Sequence, residues 1–255
     1  MNVALTSSAA KNVTRRRVFL SAEWRQLLML NYPVPRELVA PFVPAGVELD
    51  EFGGQTYVSL VGFRFLQTKL WGVSAPGYRN FPEVNLRLYV RRRVGDEIRR
   101  GVVFVKEVVG RRAIALTARW FYNEPYVVLP IRDEVQWPGA NSEGPPRAKY
   151  AVKPRGEWFS LSAEGTGEAQ PLAPGSLEEY IAEHYYGYGR LRNGRTVEYH
   201  VDHPPWRVWQ TKSAAAEGDF AALYGEDFAR VLRAKPESAF LSDGSAVTVA
   251  WPTFF

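Results

Sequence analysis

Three polar side chains that stand inside strand-like, largely apolar runs are the residues most able to do chemistry. Arg25 opens one run, Glu83 stands within a second, and Tyr126 begins a third. A charged group among apolar neighbours lies either at an exposed strand end or in the interior, where it needs a partner. If these groups meet inside the protein, an arginine and a carboxylate would form the polar part of an apolar pocket, as in most ligand sites. The periodicity of the sequence alone favours the exposed alternative.

Motifs for nucleotide and serine-nucleophile chemistry are absent from the sequence. It has no P-loop, no dinucleotide-binding fingerprint after a strand and no Gly-x-Ser-x-Gly elbow. Two histidines, His200 and His203, suggest a metal site, but on a strand these two positions face opposite sides. Hydrogen bonds from the imidazoles to the backbone near Pro204 and Pro205 are favoured instead. We therefore expect neither a metal nor a cofactor.

The composition is that of one globular, cytoplasmic protein. Of 255 residues, 46% are hydrophobic, which is enough for a core, and no apolar run approaches the ~20 residues of a membrane-spanning helix. The absence of cysteine rules out disulfides and thiolate chemistry and fits a reducing cytoplasm. Residues 1–17 are small, polar and basic, so we expect a flexible N-terminal tail followed by a single domain over residues 18–255. No membrane partner is expected.

A net charge of +5, with arginines in short runs, raises the alternative of a nucleic-acid partner. If residues 84–93 and 101–109 form a hairpin, these runs fall at opposite ends of its strands and make no single basic surface. We therefore expect solvated strand ends and no nucleic acid. The abundant aromatic residues are expected to fill a core or line a pocket. A homo-oligomer stays open.

Turn residues separate many short runs rich in β-branched and aromatic residues, which predicts a mainly β protein with few short helices. Strands are expected over residues 26–32, 56–65, 84–93, 101–109, 113–121, 126–132, 149–153, 157–163, 195–202 and 207–212. Gly53 and Gly54 predict a hairpin turn. The break at residues 243–244 predicts a closing hairpin within residues 239–251.

Helices are predicted at three places. Pro35 suits the first turn of a short helix over residues 35–43. Ser176, three residues before Glu179, forms a capping box ahead of a helical pattern of apolar residues. A further helix is expected over residues 226–234. So many strands need two packed sheets, or closure into a barrel, to hide their edges.

Several longer segments carry a resemblance to one family. They are residues 32–35 with 44–49, 81–90, 118–126, 203–206 and 239–247. Over residues 24–251 the sequence resembles the uncharacterised YqjF-like family, a branch of the acetoacetate decarboxylase-like superfamily. The resemblance implies a cone-shaped β-barrel packed on a bent antiparallel sheet, with a buried pocket inside the cone.

The resemblance to the decarboxylase also implies positions for a site. An arginine before its first strand matches Arg25, its pocket glutamate matches Glu83, and a later arginine matches Arg119. The decarboxylase has a Pro-Lys-Lys motif whose first lysine forms a Schiff base with a keto acid. This sequence has tyrosine and valine there, with Tyr126 directly after Pro125. Because tyrosine cannot form an imine, decarboxylation through a Schiff base is not expected.

The remaining groups suggest two functions. Arg25, with Arg119 and Trp120, would bind a small anionic or carbonyl-containing molecule. Glu83 and Tyr126 would be catalytic, the first as an acid or base and the second as a hydrogen-bond donor to an oxyanion. These roles suit a lyase, hydratase or isomerase that acts on a small oxo or carboxylic acid. They equally suit a non-catalytic protein that binds or senses a small ligand.

Overall fold

The computed structural model describes residues 17–74, 78–111, 125–139 and 144–255. Three of the sequence predictions concern residues outside these ranges. These are the N-terminal tail up to residue 16, the strand at residues 113–121, and the ligand-binding roles of Arg119 and Trp120. They lie outside the described residues.

The described chain is mainly β, as the sequence predicts. Its first half contains β1 (Val18–Val34), α1 (Arg36–Val39), β2 (Glu48–Leu49), β3 (Thr56–Leu70), β4 (Phe81–Val94), β5 (Glu97–Val109), β6 (Tyr126–Val128) and β7 (Ile131–Gln136). Its second half contains β8 (Arg147–Val152), β9 (Phe159–Pro171), α2 (Leu177–Ala182), β10 (Tyr186–Arg190), β11 (Thr196–Asp202), β12 (Arg207–Glu217), α3 (Ala221–Tyr224), α4 (Glu226–Leu232), β13 (Ser238–Ala250) and β14 (Thr253–Phe254). None of the helices described is long and apolar enough to cross a bilayer.

Strand pairing closes a ring. β1 pairs with β3, β3 with β4, β4 with β5, β5 with β10, and β10 with β11. β11 then pairs with β13, and β13 returns to β1, so seven strands form what we call the closed ring. From β13 the sheet also continues through β12, β9 and β8 to β7, outside the ring. This arm packs back on β1, β3 and β4 through one large apolar cluster.

The central strands are apolar on both faces because each separates two layers. In β4, Val84, Leu86 and Leu88 are fully buried and belong to the cluster that β8, β9, α3 and α4 complete. The alternate residues of β4 point into the closed ring, since successive side chains of a strand face opposite sides. A strand buried on both faces loses the clean polar alternation of a surface strand.

Close approach of the outer arm depends on a glycine in β3. A Cβ atom at Gly62 would lie 2.4 Å from Cδ2 of Tyr150, a fully buried ring on β8. The Tyr150 hydroxyl donates a hydrogen bond of 2.7 Å to the carbonyl oxygen of Gln26. Gly62 therefore gives the Tyr150 ring the room it needs to seal the arm against the ring wall.

The prediction of a closing hairpin at residues 243–244 is wrong. β13 runs as one strand through this break, and Gly244 lies opposite Arg25 in the ladder with β1. Gly244 has a φ of +76°, and a Cβ atom there would lie 2.0 Å from the carbonyl oxygen of Trp24. The glycine permits a close approach of two strands and makes no turn.

Other boundaries follow local chemistry. The predicted strand over residues 126–132 divides into β6 and β7 at Pro130, which has no N–H to continue a ladder. The capping prediction for α2 is confirmed, because the Glu179 N–H donates to Ser176 Oγ at 3.1 Å. The predicted helix over residues 35–43 is α1 followed by a 3₁₀ turn. The hairpin turn at Gly53 and the helix α4 are also confirmed.

Arginines at the turn between β4 and β5 are bound to buried acids, which corrects the prediction of solvated strand ends. Arg92 and Arg99 lie opposite each other, an arrangement that repels unless an acid intervenes. Both donate to Glu198 of β11, at 2.9 Å and 2.7 Å, and the Glu198 side chain is only 5% exposed. The ion triad joins the β4–β5 hairpin to the opposite wall of the closed ring.

Candidate functional site

A cavity of about 300 Å³ lies inside the closed ring, lined by residues of all seven of its strands. Its wall is largely apolar and includes the rings of Trp24, Phe63, Phe65, Phe81, Phe104 and Trp206. A largely apolar cavity of this size, with a few polar groups in its wall, has the usual character of a small-molecule site.

One strand supplies a row of polar side chains to this apolar wall. Glu83, Asn85 and Arg87 occupy alternate positions of β4 and all line the cavity. Val84 and Leu86, between them, point to the opposite layer and are fully buried. The strand period of two therefore places the three polar groups on one face.

At one end of the polar row, a carboxyl group is held by two neutral donors. Tyr126 Oη donates to Glu83 Oε2 at 3.1 Å, and Asn85 Nδ2 donates to Glu83 Oε1 at 3.1 Å. Glu83 is 2% exposed and Tyr126 7%. These two donors fix the orientation of the carboxyl group.

A second carboxyl group lies on the neighbouring strand. Glu107 of β5 stands directly opposite Asn85 and lines the cavity at 2% exposure. In the parallel pairing of β5 with β6, Glu107 is also the partner of Tyr126. Three adjacent strands thus bring Glu83, Glu107 and Tyr126 to one part of the wall.

The other end of the polar row carries an arginine. Arg87 Nη2 donates to the carbonyl oxygen of Ile181 at 3.3 Å, and Nε donates to the Tyr89 hydroxyl at 3.4 Å. No Asp or Glu among the described residues lies within ion-pair distance of Arg87. It is also the only Lys or Arg among the described residues that line the cavity.

A buried chain of hydrogen bonds supports this arginine. Ser59 Oγ donates to Asn31 Oδ1 at 2.6 Å, and Asn31 Nδ2 donates to Ser238 Oγ at 3.4 Å. Since the Ser59 hydrogen is used in that way, the Tyr89 hydroxyl donates to Ser59 and its oxygen accepts from Arg87. The chain fixes the Tyr89 hydroxyl and so helps to orient Arg87.

A buried acid and imidazole lie at the cavity boundary. His184 Nε2 is 3.6 Å from Asp50 Oδ2, and both side chains are 1% exposed. Burial lowers the pKa of His184 to about 4, although Asp50 acts in the opposite direction. Burial alone would raise the pKa of Asp50, but contact with His184 and the charges of Arg100 and Arg91 lower it. His184 is therefore a neutral imidazole beside an ionised carboxylate near neutral pH.

The other two histidines pack against aromatic rings. His203 stacks against Trp206 and Tyr185, with ring centroids at 4.5 Å and 4.7 Å. Its Nδ1 lies 3.0 Å from the carbonyl oxygen of Pro204, so the expected backbone hydrogen bond is confirmed for this residue. His200 packs edge-on against Tyr186. Burial lowers the pKa of His203 as well.

The structure brings together two of the predicted site residues, Glu83 and Tyr126, and keeps Arg25 apart from them. Arg25 forms ion pairs with Glu23 at 3.0 Å and Asp243 at 2.8 Å and does not line the cavity. The reason is a bulge at Gln26, whose φ is +57°. The bulge interrupts the alternation of side chains along β1, so Trp24 and Leu27 both line the cavity and Arg25 faces outward.

The sequence reasoning missed Asn85, Arg87 and Glu107. The signal for the first two was the strict alternation of polar and apolar types over residues 83–87. Lys106 was not expected in the pocket, and its Nζ donates to the carbonyl oxygen of Leu223, away from the cavity. Every lysine except Lys11 is among the described residues, and none of these lines the cavity.

Solved structures give the class to which this architecture belongs. Acetoacetate decarboxylase from Legionella pneumophila subsp. pneumophila str. Philadelphia 1 has a TM-score of 0.67, with 12% identity, over 98% of this chain and 92% of that chain. The enduracididine biosynthesis enzyme MppR complexed with pyruvate has a TM-score of 0.66, with 13% identity, over 96% of this chain and 93% of that chain. The protein therefore has the mainly β acetoacetate decarboxylase-like fold.

Sequence comparison gives the family. Residues 21–246 match the model of the DUF2071 family, described as "Uncharacterized conserved protein (COG2071)", and the chain belongs to this family. The "Uncharacterized protein YqjF" of Bacillus subtilis (strain 168) is 27% identical over 203 residues, which is 79% of this chain and 80% of that protein. The resemblance to the YqjF-like branch is confirmed.

Proposed function

We propose that the cavity binds a small oxo or carboxylic acid and that the protein catalyses a lyase, hydratase or isomerase reaction on it without a Schiff base. The observation that carries this proposal is the hydrogen bond of 3.1 Å from Tyr126 to Glu83, with both groups buried in the cavity wall. A buried carboxyl group oriented by hydrogen bonds beside a ligand space has the position required of an acid or base.

The proposed chemistry is proton abstraction next to a carbonyl group. Glu83 takes a proton from the carbon, and the electron pair of that C–H bond moves to the carbonyl oxygen. Once protonated, Glu83 is a weaker acceptor than the new oxyanion, and the Tyr126 hydroxyl turns to donate to that oxyanion. The apolar wall strengthens each of these interactions because it excludes water.

Structural neighbours support the ligand class. One neighbour is complexed with pyruvate, and another is named for acetoacetate, so both relate this fold to small oxo acids. The absence of lysine among the described lining residues supports a reaction that uses no imine with the protein. The same apolar wall would also suit a protein that binds or senses its ligand without turnover.

Hydrogen exchange tests the proposal directly. The wild-type protein is incubated in D₂O with pyruvate or 4-acetylbenzoate, and loss of the methyl proton signal is followed by NMR. We expect catalysed exchange with at least one of the two, slowed at least about 100-fold by Glu83→Gln. Glu23→Gln is the matched control, because Glu23 pairs with Arg25 outside the cavity.

Two other outcomes count against catalysis. Binding of these acids without exchange, in the wild-type protein, would assign the cavity to ligand binding or sensing. Equal exchange rates in the wild-type and Glu83→Gln proteins would remove Glu83 from the reaction.

A further inference from the structure

The single cation in the described cavity wall has no anionic partner in the described chain. Arg87 donates to two neutral oxygen atoms, at 3.3 Å and 3.4 Å, and its Nη2 also contacts the neutral Met29 sulfur at 4.0 Å. A half-buried guanidinium is costly when no anion accompanies it, and a bound carboxylate accepting two parallel hydrogen bonds would offset that cost.

We propose that Arg87 binds the carboxylate of the ligand, and that this ligand is an organic acid with an apolar body between its carboxylate and its reacting carbonyl group. The inference rests on the proposed function, because it takes Glu83 as the reacting end of the cavity. It assigns the anion site to β4 and not to Arg25.

The spacing along β4 sets the shape of the ligand. Arg87 and Glu83 are four residues apart on one strand face, which separates their Cα atoms by about 13 Å. Side chains that lean toward each other shorten this gap without closing it. Pyruvate, whose carboxylate adjoins its carbonyl group, spans less of this distance than an acid with a ring between the two groups.

The wall between the two ends suits an aromatic or branched apolar body. Phe104 lies opposite Arg87 in the β4–β5 ladder, and Phe81 begins the same strand as Glu83. Both rings line the cavity. Apolar surface buried against these rings favours binding, whereas a polar body would lose its hydration there.

The two neighbouring imidazoles carry no positive charge with which to bind an anion. His184 and His203 line the cavity, and the charge of Arg87 contributes to lowering the pKa of each, so both lie within its field. Both imidazoles are neutral near pH 7. The guanidinium is therefore the charged donor that a carboxylate meets at this end.

Calorimetric titration with a charged and a neutral probe tests the inference. The probes are 4-acetylbenzoate, which places a ring between its carboxylate and carbonyl groups, and 4-acetylbenzamide, its uncharged analogue. In the wild-type protein the acid should bind at least about tenfold more tightly than the amide. In Arg87→Gln this ratio should fall to about one. Arg64→Gln, which removes an arginine paired with Asp133 outside the cavity, should keep the wild-type ratio.

The ratio of two affinities in one preparation does not depend on the fraction of folded protein. If Arg87→Gln fails to fold, Tyr89→Phe provides the second variant, since it removes the oxygen that accepts from Arg87 Nε. It should weaken binding of the acid and leave the amide unchanged. A wild-type ratio near one, a ratio unaffected by Arg87→Gln, or tighter binding of pyruvate than of 4-acetylbenzoate would overturn the inference.

Failure of the inference and failure of the proposed function are distinguishable. Binding of 4-acetylbenzoate that depends on Arg87, without hydrogen exchange, would retain the anion site and reject catalysis. Exchange that depends on Glu83 but is insensitive to Arg87→Gln would retain catalysis and reject the anion site.

Discussion

Asn85 and Glu107 stand directly opposite each other across the β4–β5 hairpin, at 3% and 2% exposure. Asn85 also donates to Glu83, so the amide joins the part of the wall that carries two carboxyl groups. Three neighbouring strands thus form the candidate reaction centre in the described chain. Sites on regular strands hold their geometry more closely than sites on loops.

Replacing Tyr126 tests its role in the transition state. Tyr126→Phe should lower kcat for hydrogen exchange by about 100-fold and change KM much less, because the hydroxyl stabilises an oxyanion that forms only during reaction. Exchange rates measured by NMR over a range of 4-acetylbenzoate concentrations give both constants. Tyr57→Phe is the control, since Tyr57 also donates to a glutamate, Glu237, at 2.8 Å outside the cavity. A rise in KM alone would mean that Tyr126 only binds the ligand.

Stability should fall as the solution is acidified. Burial lowers the pKa of His184 from 6.5 to about 4, so the unfolded chain binds this proton at a higher pH than the folded protein does. The contribution of His184 to the free energy of unfolding is about 3 kcal/mol. It is fully present above pH 6.5 and is lost progressively as the pH falls to about 4. The free energy of unfolding, measured with urea at several pH values in this range, should fall less steeply with pH in His184→Gln than in the wild-type protein. Identical pH dependence of the free energy of unfolding in the two proteins would contradict the prediction.

Gly62→Ala should destabilise the protein by about 1–3 kcal/mol, because the added methyl group collides with a fully buried ring. Its Cβ would lie 2.4 Å from Cδ2 of Tyr150, whereas a Cβ at Gly139 would meet nothing within 4 Å. Thermal unfolding of the two alanine variants provides a matched comparison. Equal melting temperatures would show that the Tyr150 ring moves away at little cost.

Glu198→Gln should destabilise the protein by about 3 kcal/mol, since it leaves two opposed arginines without their common acid. The Glu198 side chain is 5% exposed, and it accepts from both Arg92 and Arg99. Glu226→Gln removes an exposed ion pair with Arg233 and should change the free energy of unfolding by less than about 1 kcal/mol. Comparable losses in the two variants, measured by urea unfolding, would argue against a special role for the ion triad.

Much of the fold could be predicted because strand composition and turn residues are local signals. The hairpin of β4 and β5, the capped start of α2 and the turn at Gly53 all follow from neighbouring residues. The failures involve contacts between distant parts of the chain. Gly244 has the sequence context of a turn, but its φ and its contact with Trp24 depend on β1.

The residues of the candidate site were likewise predicted only in part. Glu83 and Tyr126 carried enough resemblance to be selected, and the structure brings them together. Arg25 could not be placed correctly because one bulged residue, Gln26, reverses the faces of β1. Arg87 followed the polar alternation of its own strand, but its value as an anion site depends on which acids lie near it.

The pairing of β11 and β13 with β1 has a consequence for how the protein is made. β1 spans residues 18–34, and its partner β13 is synthesised much later, at residues 238–250. On the ribosome, β1, β3, β4 and β5 emerge with one lateral edge of their sheet unprotected until residues 238–250 follow. The nascent chain therefore has no interior compartment during most of translation, and its ability to hold a ligand appears in one late, cooperative step.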